Sequence, residues 1–305
     1  MGEKSHGPPR QADGKPSYIS PTSFETWKKD PVTYWMRYLA PPEMKIPRPP
    51  QTPQMAVGNV FDTHIKYHLA STVGRLDLSP TLLEDGVEAP MLGRRGSPDK
   101  YDQLVLYEGL RAYHAYKESP AMRTLLQQLT NIEITPADKA HLVNGVPIWG
   151  KLDLELFANG RRVVTDWKTS GAFAMNTPTV EPGYSFRYVQ RIEDGRSIWV
   201  DEGPHARAIE PLEILSPRWA TQIAMYAWML GDGPGSEITG RIDKILLLDK
   251  DTVEVYVYRA QVGRDFQLQL LNELKLMWSK IMANEILPPE LRDAPPELLL
   301  AMVDL

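Results

Sequence analysis

The sequence predicts a mixed α/β (α+β) domain in which a helical N-terminal part precedes a sheet-rich core. Apolar residues recur at helical spacing up to about residue 130, and β-rich runs separated by short turns follow. A helix, two strands and a long helix then complete the core. No internal repeat interrupts this order.

The N-terminal part contains four predicted helices. The first begins near Ser20, with Ser23 as its N-cap. Six prolines between positions 41 and 53 exclude a helix between the first two. Residues 72–98 look irregular. The predicted helices span 20–40, 55–71, 99–117 and 121–129.

The core is predicted as a strand meander followed by a helix, strands and a helix. Asn159-Gly160 between two β-rich runs predicts a hairpin. The helices are expected over 219–230 and 264–284, and the Pro-rich segment 288–305 is expected to be peripheral. The predicted strands span 132–135, 140–143, 146–157, 161–169, 242–248 and 253–258.

Composition limits the classes of function. The chain has 305 residues and a net charge of −5, which excludes a small cationic DNA-binding module but not a nuclease. No apolar run approaches a membrane span and no signal core is present, so we expect a cytoplasmic protein without a membrane partner. The absence of cysteine excludes disulfides, thiolate zinc sites and cysteine-ligated iron–sulfur clusters.

The candidate chemistry lies in Asp153, Asp166 and Lys168. Side chains alternate along a strand, so Asp166 and Lys168 project from one face, and the 159–160 turn brings Asp153 nearly opposite Asp166. Two carboxylates suit Mg²⁺ or Mn²⁺, with the backbone carbonyl of Trp167 as a further ligand. Lys168 would hold the nucleophilic water beside the metal. The alternative without a function is that Asp166 and Lys168 lie on a solvent-exposed strand face.

Three motifs in one order carry a family resemblance. Gly-x-x-Asp (150–153), Asp-x-Lys-Thr (166–169) and Gln-x-x-x-Tyr (222–226) resemble the RecB-like, phage-type exonuclease branch of the PD-(D/E)XK nuclease superfamily. The resemblance implies a restriction-endonuclease-like core, with a central mixed sheet flanked by helices and a helical N-terminal extension. It also implies that Gln222 and Tyr226, which share a helix face, serve the active site or the DNA.

A metal-ligating histidine is expected from the family on the helix 55–71, and this sequence departs there. Asp62 stands at the matching position of Gly-x-x-x-His, and His64 follows two residues later. The two side chains point about 200° apart, so only one can serve the metal, and the helical wheel favours Asp62. His64 and His68 resemble packed core histidines. Their spacing could hold zinc, but no third ligand is evident.

The N-terminus resembles the opening of nucleases that carry an iron–sulfur cluster. Cys-Pro usually stands there where this chain has Asp30-Pro31. We therefore expect packing to replace the cluster.

The segment from 172 to 215 is predicted to be an insertion, because the family connection between the Lys and Gln motifs is shorter. Its Arg187, Tyr188 and Arg191, together with Gln222, are candidate nucleic-acid contacts. The alternative is a hairpin that buries its aromatic residues on the sheet. The predicted division is a disordered tail (1–17), a helical part (18–130), a nuclease core with this insertion (131–285) and a C-terminal tail (286–305).

The resemblance implies an Mg²⁺- or Mn²⁺-dependent DNA exonuclease of recombination, repair or processing. Its substrate would be single-stranded DNA or duplex ends. A recombinase, single-strand-binding protein or helicase could be its partner, in a phage-infected host cell. Two alternatives stay open: a catalytically inactive binding or scaffold protein on the same fold, and an RNA-directed nuclease.

Overall fold

The structure is a computed structural model, and its helices and strands lie in the predicted order. The described residues are 15–47, 51–72, 100–133, 140–150, 152, 154–158, 161–173, 178–194, 196–204 and 210–303. The irregular segment predicted over 72–98 and the tail 1–17 therefore fall largely outside the described residues. So do both residues of the 159–160 turn.

Each predicted helix is present to within a few residues, although the first is divided into two α-helices and a π-helical turn (Trp35–Leu39). Two short α-helices, Leu212–Leu215 and Pro296–Ala301, were not predicted. Short 3-10 helices span Pro42–Met44 and Pro289–Leu291. The α-helices are α1 (Pro21–Lys29), α2 (Pro31–Tyr34), α3 (Pro53–Thr72), α4 (Lys100–Glu118), α5 (Pro120–Gln128), α6 (Leu212–Leu215), α7 (Pro217–Met229), α8 (Arg264–Ala283) and α9 (Pro296–Ala301).

A mixed sheet forms the centre of the fold, which confirms the predicted class. The strands of the structure are β1 (Leu129–Glu133), β2 (His141–Val143), β3 (Val146–Ile148), β4 (Leu154–Ala158), β5 (Arg161–Ser170), β6 (Phe186–Glu193), β7 (Arg196–Pro204), β8 (Glu210–Pro211), β9 (Ile238–Leu247) and β10 (Val253–Val262). In the central sheet they lie in the order β1-β4-β5-β9-β10-β6-β7, with β8 beside β10. The β5–β9 and β8–β10 pairs are parallel, and the other pairs of this sheet are antiparallel.

Helices cover both faces of this sheet. On one face α1, α7 and α8 pack through residues such as Phe24, Ile223 and Leu274. On the other face α3, α4 and α5 pack through residues such as Phe61 and Tyr116. Because helices cover both faces, most residues of β9 and β10 are buried on both sides of the sheet.

Two local predictions were wrong at their boundaries. Ser20, not Ser23, is the N-cap of α1: its hydroxyl accepts a hydrogen bond from the Ser23 N–H, and the Ser23 hydroxyl accepts one from the Ser20 N–H. The predicted strand 146–157 is two strands, because β3 pairs with β2 in a small separate hairpin. Only β4 belongs to the central sheet.

The C-terminal segment is not peripheral as predicted. Leu299 and Val303 are buried with Val32 and Met36 of the N-terminal helices in a third apolar cluster. Apolar side chains at positions 299 and 303 share one side of the chain, and burying them ties the end of the chain to its beginning.

None of the described helices is both long and apolar enough to cross a membrane.

We expect Leu299→Ala to lower the free energy of unfolding by about 2–4 kcal/mol, because it leaves a cavity at a position with 1% exposure. Urea denaturation would measure the loss. Leu300→Ala is the matched control, since this neighbour is 42% exposed, and it should change stability by less than about 0.5 kcal/mol. Equal effects of the two substitutions would contradict the described packing.

Candidate active site

The two faces of β5 carry different chemistry. Asp166 and Lys168 project toward α7, where both contact Gln222. Trp167 projects the other way, toward α3 and α4, where its ring lies 6.2 Å from that of Phe61. The alternation predicted from the sequence thus places the charged pair in one layer and its aromatic neighbour in the other.

Gln222 holds the charged pair together. Its side-chain oxygen accepts a hydrogen bond from Lys168 Nζ at 3.0 Å, and its amide nitrogen donates to Asp166 Oδ1 at 2.9 Å. Asp166 and Lys168 also form an ion pair with each other. The Asp166 side chain is 2% exposed, whereas the Lys168 side chain is 30% exposed. Only the lysine therefore reaches toward solvent.

Tyr226 completes this layer from the next turn of α7. Its hydroxyl oxygen accepts a hydrogen bond from the Gln222 amide at 3.1 Å, and its ring is buried. The ring lies against Gly150: a Cβ there would come within 2.6 Å of Tyr226 Cε1. The glycine of the Gly-x-x-Asp motif is thus explained by contact with the tyrosine of the Gln-x-x-x-Tyr motif.

One stripe of α3 faces β5. Gln54 donates a hydrogen bond to the Thr169 carbonyl at 3.0 Å, and a Cβ at Gly58 would meet the Thr169 hydroxyl at 3.3 Å. Asp62 and Lys66 continue the stripe, since residues four apart share a helix face. These two form an ion pair at 2.7 Å in which Lys66 is almost fully buried.

His64 lies on a different side of α3, toward α4. Its ring is 5.5 Å from that of Tyr113, and the His68 ring is 6.3 Å from the same tyrosine. Both histidines are half-buried. The prediction that they are packed core histidines was therefore wrong. Burial, followed by the nearby His114, lowers the pKa of His64. Whether Asp62 or His64 would serve a metal stays a prediction.

Asp153 lies outside the described residues, so its predicted position opposite Asp166 is not tested. The strands around it have the predicted antiparallel register, because Leu154 pairs with Thr165. Within the described ranges, no group of three or more acidic or histidine side chains is arranged to hold a metal ion.

The hairpin β6–β7 forms as predicted and extends the central sheet. Arg187 makes ion pairs with Glu202 at 2.6 Å and Glu254 at 2.7 Å, and its hydrogen bond to Glu254 raises its pKa. Tyr188 is buried on the sheet, as expected from the alternative in which the hairpin buries its aromatic residues. Arg191 is 54% exposed, so of these three side chains it is the one most available to an external partner.

Lys244 and Glu181 lie beside this layer and were missed by the sequence reasoning. Lys244 of β9 is buried next to Lys168, and Glu181 forms an ion pair with it at 2.7 Å. The available signal was a lysine within the otherwise apolar run that follows Asp243. Such a charge inside a strand buried on both faces needs a partner or a function.

A family profile and a solved structure are similar to this chain. The sequence profile of the PD-(D/E)XK nuclease superfamily matches residues 18–186, more than half of the chain. No curated protein matches the chain. A solved structure of a candidate exonuclease from Eubacterium rectale is similar with a TM-score of 0.48 at 12% identity, over 98% of this chain and 95% of that one.

We expect Gly150→Ala to destabilise the protein by about 1–3 kcal/mol, because the added methyl group overlaps the Tyr226 ring. Gly233→Ala is the control, since its Cβ would have only the Ser236 hydroxyl at 3.6 Å. Urea denaturation measures both. In a Tyr226→Ala background the penalty at position 150 should shrink, and a penalty of unchanged size would argue against this contact.

Proposed function

This chain belongs to the PD-(D/E)XK nuclease superfamily, and from that premise we propose that it is a metal-dependent deoxyribonuclease acting as an exonuclease. The observation that carries the proposal is the cluster of Asp166, Lys168 and Gln222. It joins a buried carboxylate to a lysine that reaches solvent.

The donor set that we propose for the metal consists of oxygen atoms. Asp166 and Asp153 supply carboxylates, and the Trp167 backbone carbonyl and Asp62 supply the remaining ligands. Hard oxygen donors suit Mg²⁺ or Mn²⁺ rather than a thiolate-bound metal or a cluster. When bound, such an ion lowers the pKa of a coordinated water and neutralises negative charge on the phosphate.

Support for Asp153 comes from its neighbours in sequence. Leu154 directly follows it and Thr165 directly precedes Asp166, and these two neighbours are paired across β4 and β5. Asp62 is proposed because it stands where the family has its histidine ligand, on a helix that contacts β5 through the Gln54 hydrogen bond to the Thr169 carbonyl.

Lys168 is proposed to orient the attacking water and to stabilise charge on the phosphate. Its ammonium is held by Gln222 and Asp166, so it needs little reorganisation when the substrate arrives. Gln222 has a positioning role, because it fixes both members of the charged pair through one amide group. Tyr226 in turn fixes Gln222.

Nucleic-acid contacts are proposed for Gln222 and for the exposed Arg191 on the β6–β7 hairpin. Arg187 and Tyr188 are engaged within the protein, so a direct role for them would require those contacts to exchange. We also propose that a recombinase, single-strand-binding or helicase partner supplies the DNA.

Asp166→Asn and Lys168→Ala should each lower DNA cleavage by at least about 10²-fold. Each variant should still unfold in one cooperative thermal transition, at a lower melting temperature than wild type, because each change breaks the buried ion pair. The assay uses end-labelled single-stranded and duplex DNA with Mg²⁺, Mn²⁺ or EDTA, resolved over time, with an RNA of the same sequence in parallel. Release of mononucleotides from an end indicates an exonuclease. Asp232→Asn, which removes a carboxylate from the Arg162 ion pair, is the control for charge loss. Cleavage at wild-type rates by both site variants would refute the proposal.

We expect Asp62→Asn to raise the metal concentration for half-maximal cleavage by about 10–100-fold, because a ligand is weakened. His64→Gln should leave it within about twofold, since His64 faces α4. Titration of Mg²⁺ and Mn²⁺ at fixed DNA concentration measures both. The reverse ranking of the two variants would assign the helix ligand to His64.

A further inference from the structure

Lys244 occupies the position next to Lys168 on the sheet. The parallel register of β5 and β9 pairs the two lysines directly. Paired residues project from the same face, and neighbouring strands lie about 4.8 Å apart. Lys244 therefore belongs to the face that carries Asp166.

Helix α7 spans both lysines. Gln222 bonds to Lys168, and the ring of Trp219, one turn earlier, has its centroid 6.0 Å from Lys244 Nζ. Trp219, Gln222 and Tyr226 follow one another at spacings of three and four, so they form one stripe of the helix. The candidate active-site layer thus continues past Lys168 to Lys244.

Lys244 is held by the segment that follows β5. Its ammonium donates to the Thr179 carbonyl and to the Glu181 carboxylate, the latter at 2.7 Å. The Lys244 side chain is only 8% exposed, whereas that of Glu181 is 27% exposed. A lysine buried this deeply requires an anion beside it. That anion is Glu181, which is the more solvent-accessible member of the pair.

Resting on the function proposed above, we propose that Lys244 is a second phosphate-binding cation, and that Glu181 occupies the place of that phosphate in the free protein. Lys168 contacts the phosphate of the bond that is cleaved, and Lys244 contacts the adjacent phosphate of the same nucleic-acid strand. A phosphate oxygen accepts the same charge-assisted hydrogen bond as a carboxylate oxygen. The Thr179 bond can persist during the exchange.

This exchange identifies the class of substrate. An oligonucleotide presents successive phosphates to two neighbouring cations at once, whereas a nucleoside monophosphate presents only one. Glu181 leaves at a modest cost because its carboxylate is already partly in solvent. It also keeps Lys244 compensated when no substrate is bound.

The test is equilibrium binding of a fluorescein-labelled single-stranded oligonucleotide in EDTA, followed by fluorescence anisotropy at several salt concentrations. Glu181→Gln should tighten binding about threefold or more, because the competing carboxylate is removed. The log–log salt slope should steepen by about one, since no freed glutamate takes up a counterion. Lys244→Gln should weaken binding by about three- to tenfold.

The double variant decides whether the two effects share one cause. In the Lys244→Gln background, Glu181→Gln should no longer tighten binding, because the lysine through which it acts is gone. Asp232→Asn is the matched control: it also removes a carboxylate from an ion pair with a basic residue, but at the Arg162 end of β5. Arg162 is six residues from Lys168, or about 20 Å along the strand, which exceeds the screening length at 0.1 M salt.

Unchanged affinity and salt slope in Glu181→Gln would overturn this inference, and so would tightening that persists in the double variant. Thermal melts check that each variant is folded. If Lys244→Gln does not fold, the affinity and salt slope of Glu181→Gln decide alone. Cleavage by wild type together with unchanged binding by Glu181→Gln would leave the proposed function standing, whereas absence of both binding and cleavage in wild type would overturn both.

Discussion

The alternation of side chains along β5 is the constraint on which the rest of the structure depends. One face of this strand must accommodate a buried carboxylate and an ammonium, and the other an indole ring packed between two helices. A shift of one residue in register would exchange the two faces. The parallel pairing with β9 and the antiparallel pairing with β4 fix that register from both sides.

Burying charge in this sheet requires compensation on both faces. On the α7 face, Gln222 and Lys168 together satisfy Asp166. On the opposite face, Arg241 and Asp243 of β9 form a buried ion pair, and the Tyr116 hydroxyl donates to the same carboxylate. Burial, and then the charge of Asp243, raise the pKa of Tyr116 well above its usual value, so this hydroxyl keeps its proton. Removing one member of such a network leaves an uncompensated charge, which specifies the arrangement strongly.

Sequence periodicity was sufficient for the order of the predicted helices and strands. The family resemblance was needed in addition to bring Gln222 and Tyr226 to Asp166 and Lys168. The failures have physical causes. A continuous β-rich run from 146 to 157 does not reveal that its two halves pair with different strands, because pairing is a long-range property. The burial of Leu299 depends on contacts with helices far away in sequence, and local propensity does not predict such contacts. The partners of Arg187 likewise come from two other strands.

Lys244 shows what can be inferred from a charged side chain in a buried strand. A buried ion pair that served only to stabilise the fold could be replaced by two apolar side chains at little cost, because desolvation offsets most of the attraction within the pair. The position next to Lys168, under the same helix and with a partner that faces solvent, adds a second constraint. A cation in that place is neutralised by whichever anion lies closest. On the proposal made above, the sheet positions two neighbouring ammonium groups for a substrate that carries a row of phosphates, and Glu181 shields the deeper one until that substrate arrives.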